Sequence, residues 1–290
     1  MKFKKSLQDR KFVVSLEIQP SIEKGIEGFI RRIAPYRGEI DALAVPELNP
    51  ERVPIDNMGI CRLLLEQQFE PILQMGCREK SRIDLQELLI KASESGINHI
   101  LTFKEDYRIS GDNLQETMFF HVDSAKFFSV IDNLKEGHDI TGRAIQGKFT
   151  FCIGVGVDSS WGKEVPDLEL KEMEEMAQRG IDYFLSTPVF DLDSFDQFMN
   201  RVRPIGVPVI AEIALGWSSE TDHDLSQDVR SGTVSGDFVD RARRPLGREK
   251  TSLKRVTELV RGLKSICQGV HFISMGAEDW VLKSMEALKS

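Results

Sequence analysis

The chain alternates eight short apolar runs with longer stretches of helical spacing, and this alternation constrains its fold more than any other feature. The runs are rich in branched and aromatic residues, as buried strands are. In the stretches between them apolar residues recur every three or four positions, as Ile26, Phe29, Ile30 and Ile33 do within residues 25–36. In chain order the runs are FVVSLEI (12–18), DALAV (41–45), PILQM (71–75), HILTF (99–103), FTFCIGVGV (149–157), YFLST (183–187), VPVIAEIAL (207–215) and GVHFISMG (269–276).

Eight strand–helix units are the number that a (β/α)8 barrel requires. A doubly wound open sheet would produce a similar alternation, but no G-x-G-x-x-G motif follows the first run. No linker rich in Pro, Gly or Ser divides the chain. We therefore predict an α/β protein with a single (β/α)8 TIM-barrel domain over residues 1–290, and a long polar loop at about 216–249 after strand seven.

Composition narrows the range of partners. The formal net charge is −8, with 38 Lys and Arg against 46 Asp and Glu and no basic stripe, which argues against a nucleic-acid partner. No apolar run reaches the length of about 18 residues that a membrane span needs, and the first residues lack the apolar segment of a signal peptide. The four cysteines are scattered, and the histidines show no paired spacing, so we expect reduced thiols, no metal site and a cytoplasmic location.

In a (β/α)8 barrel, chemistry takes place where the strands end, because the loops that follow them meet at one mouth. Any one polar residue there can be an ordinary surface charge, but the set as a whole would surround a single mouth with acids and two cations. The residues that end or follow the predicted strands are Glu17, Glu47, Cys77, Arg78, Lys104, Glu105, Asp106, Asp158, Thr187, Glu212 and Glu278.

Four segments together resemble the methylenetetrahydrofolate reductase family, in an order and at a spacing that extend along most of the chain. They are VSLEIQPS (14–21), PILQMGCREKSRIDLQELLIKASESGINHILTFKEDY (71–107), RGIDYFLSTPVFDLDSFDQFM (179–199) and GVHFISMGAE (269–278). The most specific part is Cys-Arg with its downstream Leu-Gln helix, Gly-Ile-Asn turn and terminal Asp. The family fold is a (β/α)8 barrel, which agrees with the strand count.

The resemblance also implies a reaction. The family binds FAD and passes hydride from NADH or NADPH to the flavin, then to the methylene carbon of 5,10-methylenetetrahydrofolate, which becomes 5-methyltetrahydrofolate. By this resemblance Glu17 is the general acid and Asp106 is the acid beside flavin and pterin. A reduced folate or related pterin is the expected ligand, and we expect a homo-oligomer.

The resemblance also implies which residues line the flavin and pterin pockets. Gln74, Cys77, Arg78 and Asp158 lie where the family lines the flavin pocket. Thr187 lies where the family contacts the pterin. Independently of the family, Trp217 beyond strand seven is a candidate for stacking on a flavin or pterin ring.

The chain also departs from the family pattern near the expected FAD phosphates and pterin. Glu105 stands where the family has Gly, Met176 where it has Lys, Asp158-Ser159 where it has Asn-Pro, and Ser186-Thr187 where it has Thr-Gln. Two alternatives therefore stay open. One is a flavin-independent, tetrahydropterin-binding methyl-transfer protein. The other is a non-catalytic subunit of a reductase complex that works with an electron-donor subunit.

Overall fold

The structure is a computed structural model. It describes residues 1–18, 25–47, 56–77, 80–103, 121–147, 149–215, 253–273 and 278–286. Eight parallel strands form a closed barrel in which each strand pairs with the next along the chain, and the eighth pairs with the first. The predicted single (β/α)8 barrel is confirmed, while the predicted loop at 216–249 lies outside the described residues.

The strands coincide with the eight apolar runs. They are β1 (Val13–Glu17), β2 (Ala42–Val45), β3 (Pro71–Gln74), β4 (His99–Phe103), β5 (Cys152–Val157), β6 (Tyr183–Pro188), β7 (Val209–Ala214) and β8 (Gly269–Ile273). Within the described residues, the α-helices are α1 (Lys2–Gln8), α2 (Gly25–Ile33), α3 (Asn57–Glu66), α4 (Arg82–Glu94), α5 (His121–Lys135), α6 (Asp167–Gln178), α7 (Leu192–Val202), α8 (Leu253–Ile266) and α9 (Glu278–Glu286).

Local sequence signals fix several helix starts. At α4 the Ser81 hydroxyl accepts the Asp84 N–H while the Asp84 carboxylate accepts the Ser81 N–H, which is a capping box. At α7 the Asp191 carboxylate accepts the Ser194 N–H. These caps satisfy donors that the first turn of a helix leaves open, so each helix begins at a defined residue after its strand.

Alternate strand residues face two different cores. On β1, Leu16 packs into the large core between the barrel and its helices, whereas Val13 packs into the smaller core inside the barrel. The same alternation places Ile210 of β7 inside the barrel and Ile213 in the outer core. Because strand side chains alternate with a period of two, Ser15 and Glu17 face the barrel interior with Val13, and Glu212 faces it with Ile210.

Helix α1 packs against the amino-terminal end of the barrel. Phe3 is fully buried, and its ring makes edge-on contacts with His99 and Tyr183 inside the barrel. The Glu70 carboxylate accepts the backbone N–H groups of Lys2 and Phe3, which satisfies donors of the first helical turn. This end of the interior is therefore filled by α1, so a ligand inside the barrel has to enter from the opposite, carboxyl end.

No helix among the described residues is long and apolar enough to cross a membrane.

Candidate active site at the carboxyl ends of the strands

The carboxylate of Glu17 lies at the carboxyl end of β1 and bonds to a side chain from β3. Gln74 Nε2 donates to Glu17 Oε2 over 2.6 Å, and Gln74 is itself buried. Burial raises the pKa of Glu17 from 4.5 to about 7, although the Gln74 hydrogen bond acts in the opposite direction. A carboxyl group with such a pKa keeps a proton near neutral pH and can deliver it, which is the requirement for a general acid.

A second acid lies on the same interior surface. Glu212 of β7 is only 7% exposed, and its backbone N–H donates to the Ser186 hydroxyl. Burial raises the pKa of Glu212 well above its usual value, and the neighbouring Glu17 charge raises it further.

The strand between the two acids carries a histidine, which contacts a serine on the same strand as Glu17. His271 of β8 is in register with both Glu212 and Ser15, and its Nδ1 is 2.8 Å from the Ser15 hydroxyl. Burial lowers the pKa of His271 to about 4, so its imidazole is neutral at pH 7. His271 Nε2 is buried and has no hydrogen-bond partner among the described residues.

The ends of β5 and β6 form a hydrogen-bonded group of small polar side chains. The Thr187 hydroxyl accepts the Ser159 N–H at 3.1 Å, lies 3.0 Å from the Ser159 hydroxyl and donates to Asp158 Oδ1 at 3.4 Å. Asp158 also accepts the N–H of Ser160 at 2.8 Å. The predicted pocket residues Asp158 and Thr187 are therefore brought together, at the ends of neighbouring strands.

Cys77, which is predicted to line the flavin pocket, lies on the outer side of the strands, where they pack against the helices. Its side chain belongs to the core between strands and helices, and its sulfur lies 3.2 Å from the Thr102 hydroxyl. The loop that carries it is tied to the loop after β2, because Glu47 accepts the Gly76 N–H and pairs with Lys80.

Five of the candidate residues, Arg78, Lys104, Glu105, Asp106 and Trp217, lie outside the described residues. The structure adds Ser15 and His271 to the candidate site and brings Glu212 to the same interior surface. Glu212 was visible in the sequence as an acid within an apolar strand. Ser15 and His271 gave no comparable signal, because a polar residue in a barrel strand can face either core.

The closed barrel, with the acids Glu17 and Glu212 facing its interior, defines this chain as a (β/α)8 protein. Residues 2–289 match the family described as methylenetetrahydrofolate reductase, and the chain belongs to that family. No curated protein sequence matches the chain.

Several solved structures share the fold at low sequence identity. A Clostridium thermocellum structure described as an uncharacterized protein that binds two copies of 5-methyl-5,6,7,8-tetrahydrofolic acid is 13% identical, with a TM-score of 0.63 over 98% of this chain and 96% of that one. A 2,3-dimethylmalate lyase is 11% identical, with a TM-score of 0.55 over 99% and 85%. Tryptophan synthase from M. tuberculosis is 8% identical, with a TM-score of 0.51 over 98% and 93%. At these identities the likeness concerns the fold.

FAD, the family's cofactor, carries a diphosphate that needs cationic side chains or backbone N–H donors. Within the described part of the mouth, the ends of β5 and β6 present Asp158 and Thr187, and Lys80 is paired with Glu47. Met176, at the family's lysine position, is buried in the outer core. The described residues therefore do not fit the diphosphate of FAD.

Proposed function

We propose that this protein binds a reduced folate at the carboxyl end of the barrel and reduces 5,10-methylenetetrahydrofolate to 5-methyltetrahydrofolate, with Glu17 as the general acid. The observation that carries the proposal is the partly buried Glu17 carboxyl, hydrogen-bonded to Gln74 and with a pKa near 7, in a chain of the methylenetetrahydrofolate reductase family. The folate bound by the Clostridium thermocellum protein supports the choice of ligand.

In this proposal Glu17 transfers its proton to the folate nitrogen that holds the one-carbon bridge. The bond between that nitrogen and the methylene carbon breaks, and its electron pair stays on the nitrogen. The remaining nitrogen then forms a cationic iminium with the methylene carbon, which accepts a hydride that originates from NADH or NADPH. The carboxylate left on Glu17 balances the positive charge of the iminium at close range. Gln74 stabilises that carboxylate with its hydrogen bond.

The test is the rate at which purified protein forms 5-methyltetrahydrofolate with NADH or NADPH, with and without added FAD. We expect Glu17→Gln to lower the rate by about a hundredfold or more while 5-methyltetrahydrofolate still binds, because a positioned general acid contributes about that much. Glu94→Gln, an exposed change at the end of α4, is the matched control and should leave the rate unchanged. A Glu17→Gln variant as active as the wild type would refute the assignment.

The second candidate function is a tetrahydropterin-binding, methyl-transfer protein that works without flavin. It is favoured by the acids Glu17, Glu212 and Asp158 and by the poor match of the described mouth to a diphosphate. An absorbance spectrum of the purified protein distinguishes the two. Flavin bands that bleach with reductant and return with methylenetetrahydrofolate support a flavin reductase. A colourless protein that binds 5-methyltetrahydrofolate, takes up no FAD and forms no product with either nicotinamide supports the second function.

A further inference from the structure

Glu212 is a buried acid that the proposed reaction does not use. Its side chain faces the barrel interior, since Ile210 two residues earlier packs there. Because α1 fills the amino-terminal end of that interior, a ligand would have to approach Glu212, which is 7% exposed, from the carboxyl end. No hydrogen bond to its carboxyl oxygens comes from the residues that the structure describes.

The groups that face Glu212 supply no positive charge within the described interior. Across β8 lies Glu17, held by Gln74 of β3. The strand between them carries the neutral His271, whose Nδ1 contacts the hydroxyl of Ser15 on β1. On the β6 side the Ser186 hydroxyl accepts the backbone N–H of Glu212. In such surroundings the ionisation of one carboxyl group raises the free-energy cost of ionising the other, so their titrations are coupled.

We propose that Glu17 and Glu212 form one coupled acid pair in which Glu212 stays protonated while Glu17 exchanges its proton, so that Glu212 presents a carboxyl O–H to the ligand. The pair then carries one negative charge after Glu17 has delivered its proton, and that charge stays on the catalytic carboxylate. Glu17 is the first to ionise, because its carboxylate accepts the Gln74 hydrogen bond.

The protonation state of Glu212 determines which kind of ligand atom its side chain can bind. A carboxylate would accept from an N–H group, whereas a carboxyl O–H donates to a lone pair, such as a carbonyl oxygen or a ring nitrogen of a pterin. His271 is in register with Glu212, and its buried Nε2, which has no partner among the described residues, is a second polar atom in this part of the interior. We therefore assign Glu212 as a specificity-determining residue for a hydrogen-bond acceptor. This ligand assignment rests on the proposed function, whereas the coupling of the two acids does not.

Carboxyl-carbon NMR of protein labelled with ¹³C in glutamate side chains tests the coupling without any ligand. Glu17→Gln and Glu212→Gln identify the two resonances. We expect the Glu17 resonance to titrate near neutral pH and that of Glu212 to remain protonated through this transition. In Glu17→Gln the Glu212 midpoint should move to lower pH, because the neighbouring negative charge is gone. A Glu212 resonance that is already ionised when Glu17 titrates, or that titrates identically in Glu17→Gln, overturns the proposal.

Calorimetric binding of 5-methyltetrahydrofolate tests the ligand assignment. Glu212→Gln keeps the size and an N–H donor, so affinity should stay within about twofold, while Glu212→Leu should weaken binding by about tenfold, as expected for one lost hydrogen bond. Equal affinity in wild type and Glu212→Leu overturns the assignment. If the wild type itself does not bind the folate, the proposed function and this assignment fail together, while the NMR titration still decides the coupling.

Discussion

At the scale of single residues, the protonation of Glu17, on which the proposed reaction depends, also affects the stability of the fold. Its pKa is 4.5 in the unfolded chain and about 7 in the folded protein. Between these values the folded state holds a proton that the unfolded state has released. The stabilising contribution is therefore complete below pH 4.5 and is lost as the pH rises through about 7, with a magnitude of about 3 kcal/mol.

We expect this loss of stability at higher pH to be absent in Glu17→Gln, because the glutamine side chain cannot ionise. Denaturant unfolding at about pH 5 and about pH 8 should show the variant gaining about 3 kcal/mol relative to wild type at the higher pH. Comparison at each pH removes the contribution of the titrating groups that are not coupled to Glu17. A difference between variant and wild type that stays constant with pH would contradict a raised pKa at Glu17.

Gln74 is expected to set how far the Glu17 pKa rises. Its side-chain N–H stabilises the Glu17 carboxylate and so holds that pKa below the value that burial alone would give. In Gln74→Met, a change of similar size without the donor, we expect the Glu17 pKa to rise by about one further pH unit. Carboxyl-carbon NMR measures the midpoint directly.

Gln268→Met provides the matched control for this change, because the side chain of Gln268 donates to the Lys11 carbonyl at the other end of the barrel. It should leave the Glu17 midpoint in place. An unshifted midpoint in Gln74→Met would mean that this hydrogen bond does not affect the acid.

At the scale of elements, the apolar runs predicted all eight strands because a buried parallel strand is apolar on both faces. The apolar run at residues 149–157 predicts a longer strand than the structure contains, because β5 begins only at Cys152. Helix α1 was not predicted. Its seven residues are stabilised by burying Phe3 and Leu7 against distant strands, which no local pattern reveals.

The candidate site was predicted in part for the same physical reason. A carboxylate at a strand end, such as Glu17, is conspicuous in an apolar run. The grouping of Ser15, His271 and Glu212 depends instead on the register of β7, β8 and β1 around the closed barrel. Ser15 lies near the start of the chain and His271 near its end, so their contact follows from barrel closure, whereas Glu212 meets His271 through the pairing of β7 with β8.

Helix α1 should contribute to global stability without affecting the acids. Phe3→Ala removes a fully buried ring that contacts His99 and Tyr183, and we expect a loss of about 3–5 kcal/mol in the free energy of unfolding. Lys5→Ala on the exposed side of α1 is the control and should change stability by less than about 0.5 kcal/mol. The Glu17 pKa should be unchanged in both variants. Unaltered stability in Phe3→Ala would show that the packing of α1 against the amino-terminal end of the barrel does not stabilise the fold.

At the scale of the whole molecule, closure of the barrel creates the candidate site, because it places the acids of β1 and β7 on one interior surface. The closing contact is between β8 and β1, where Gly269 pairs with Val13. A Cβ atom on Gly269 would lie 2.5 Å from both the Cγ2 and the carbonyl oxygen of Val13, too close for either to remain in place. Glycine at position 269 therefore permits the approach of β1 to β8 that pairs Ser15 with His271, while His271 pairs with Glu212 on its other side.

Gly269→Ala tests this dependence of the site on closure. We expect a loss of at least about 1–3 kcal/mol in unfolding free energy, the usual cost of overpacking, because the clash involves backbone. In the protein that still folds, separation of β1 from β8 should weaken the coupling between Glu17 and Glu212, so that the Glu212 midpoint in carboxyl-carbon NMR moves to lower pH. Gly28→Ala, within α2 and with nothing near the added atom, should instead stabilise by up to about 1 kcal/mol. Stability and midpoints in Gly269→Ala that match the wild type would mean that the β8–β1 contact is not what positions the two acids.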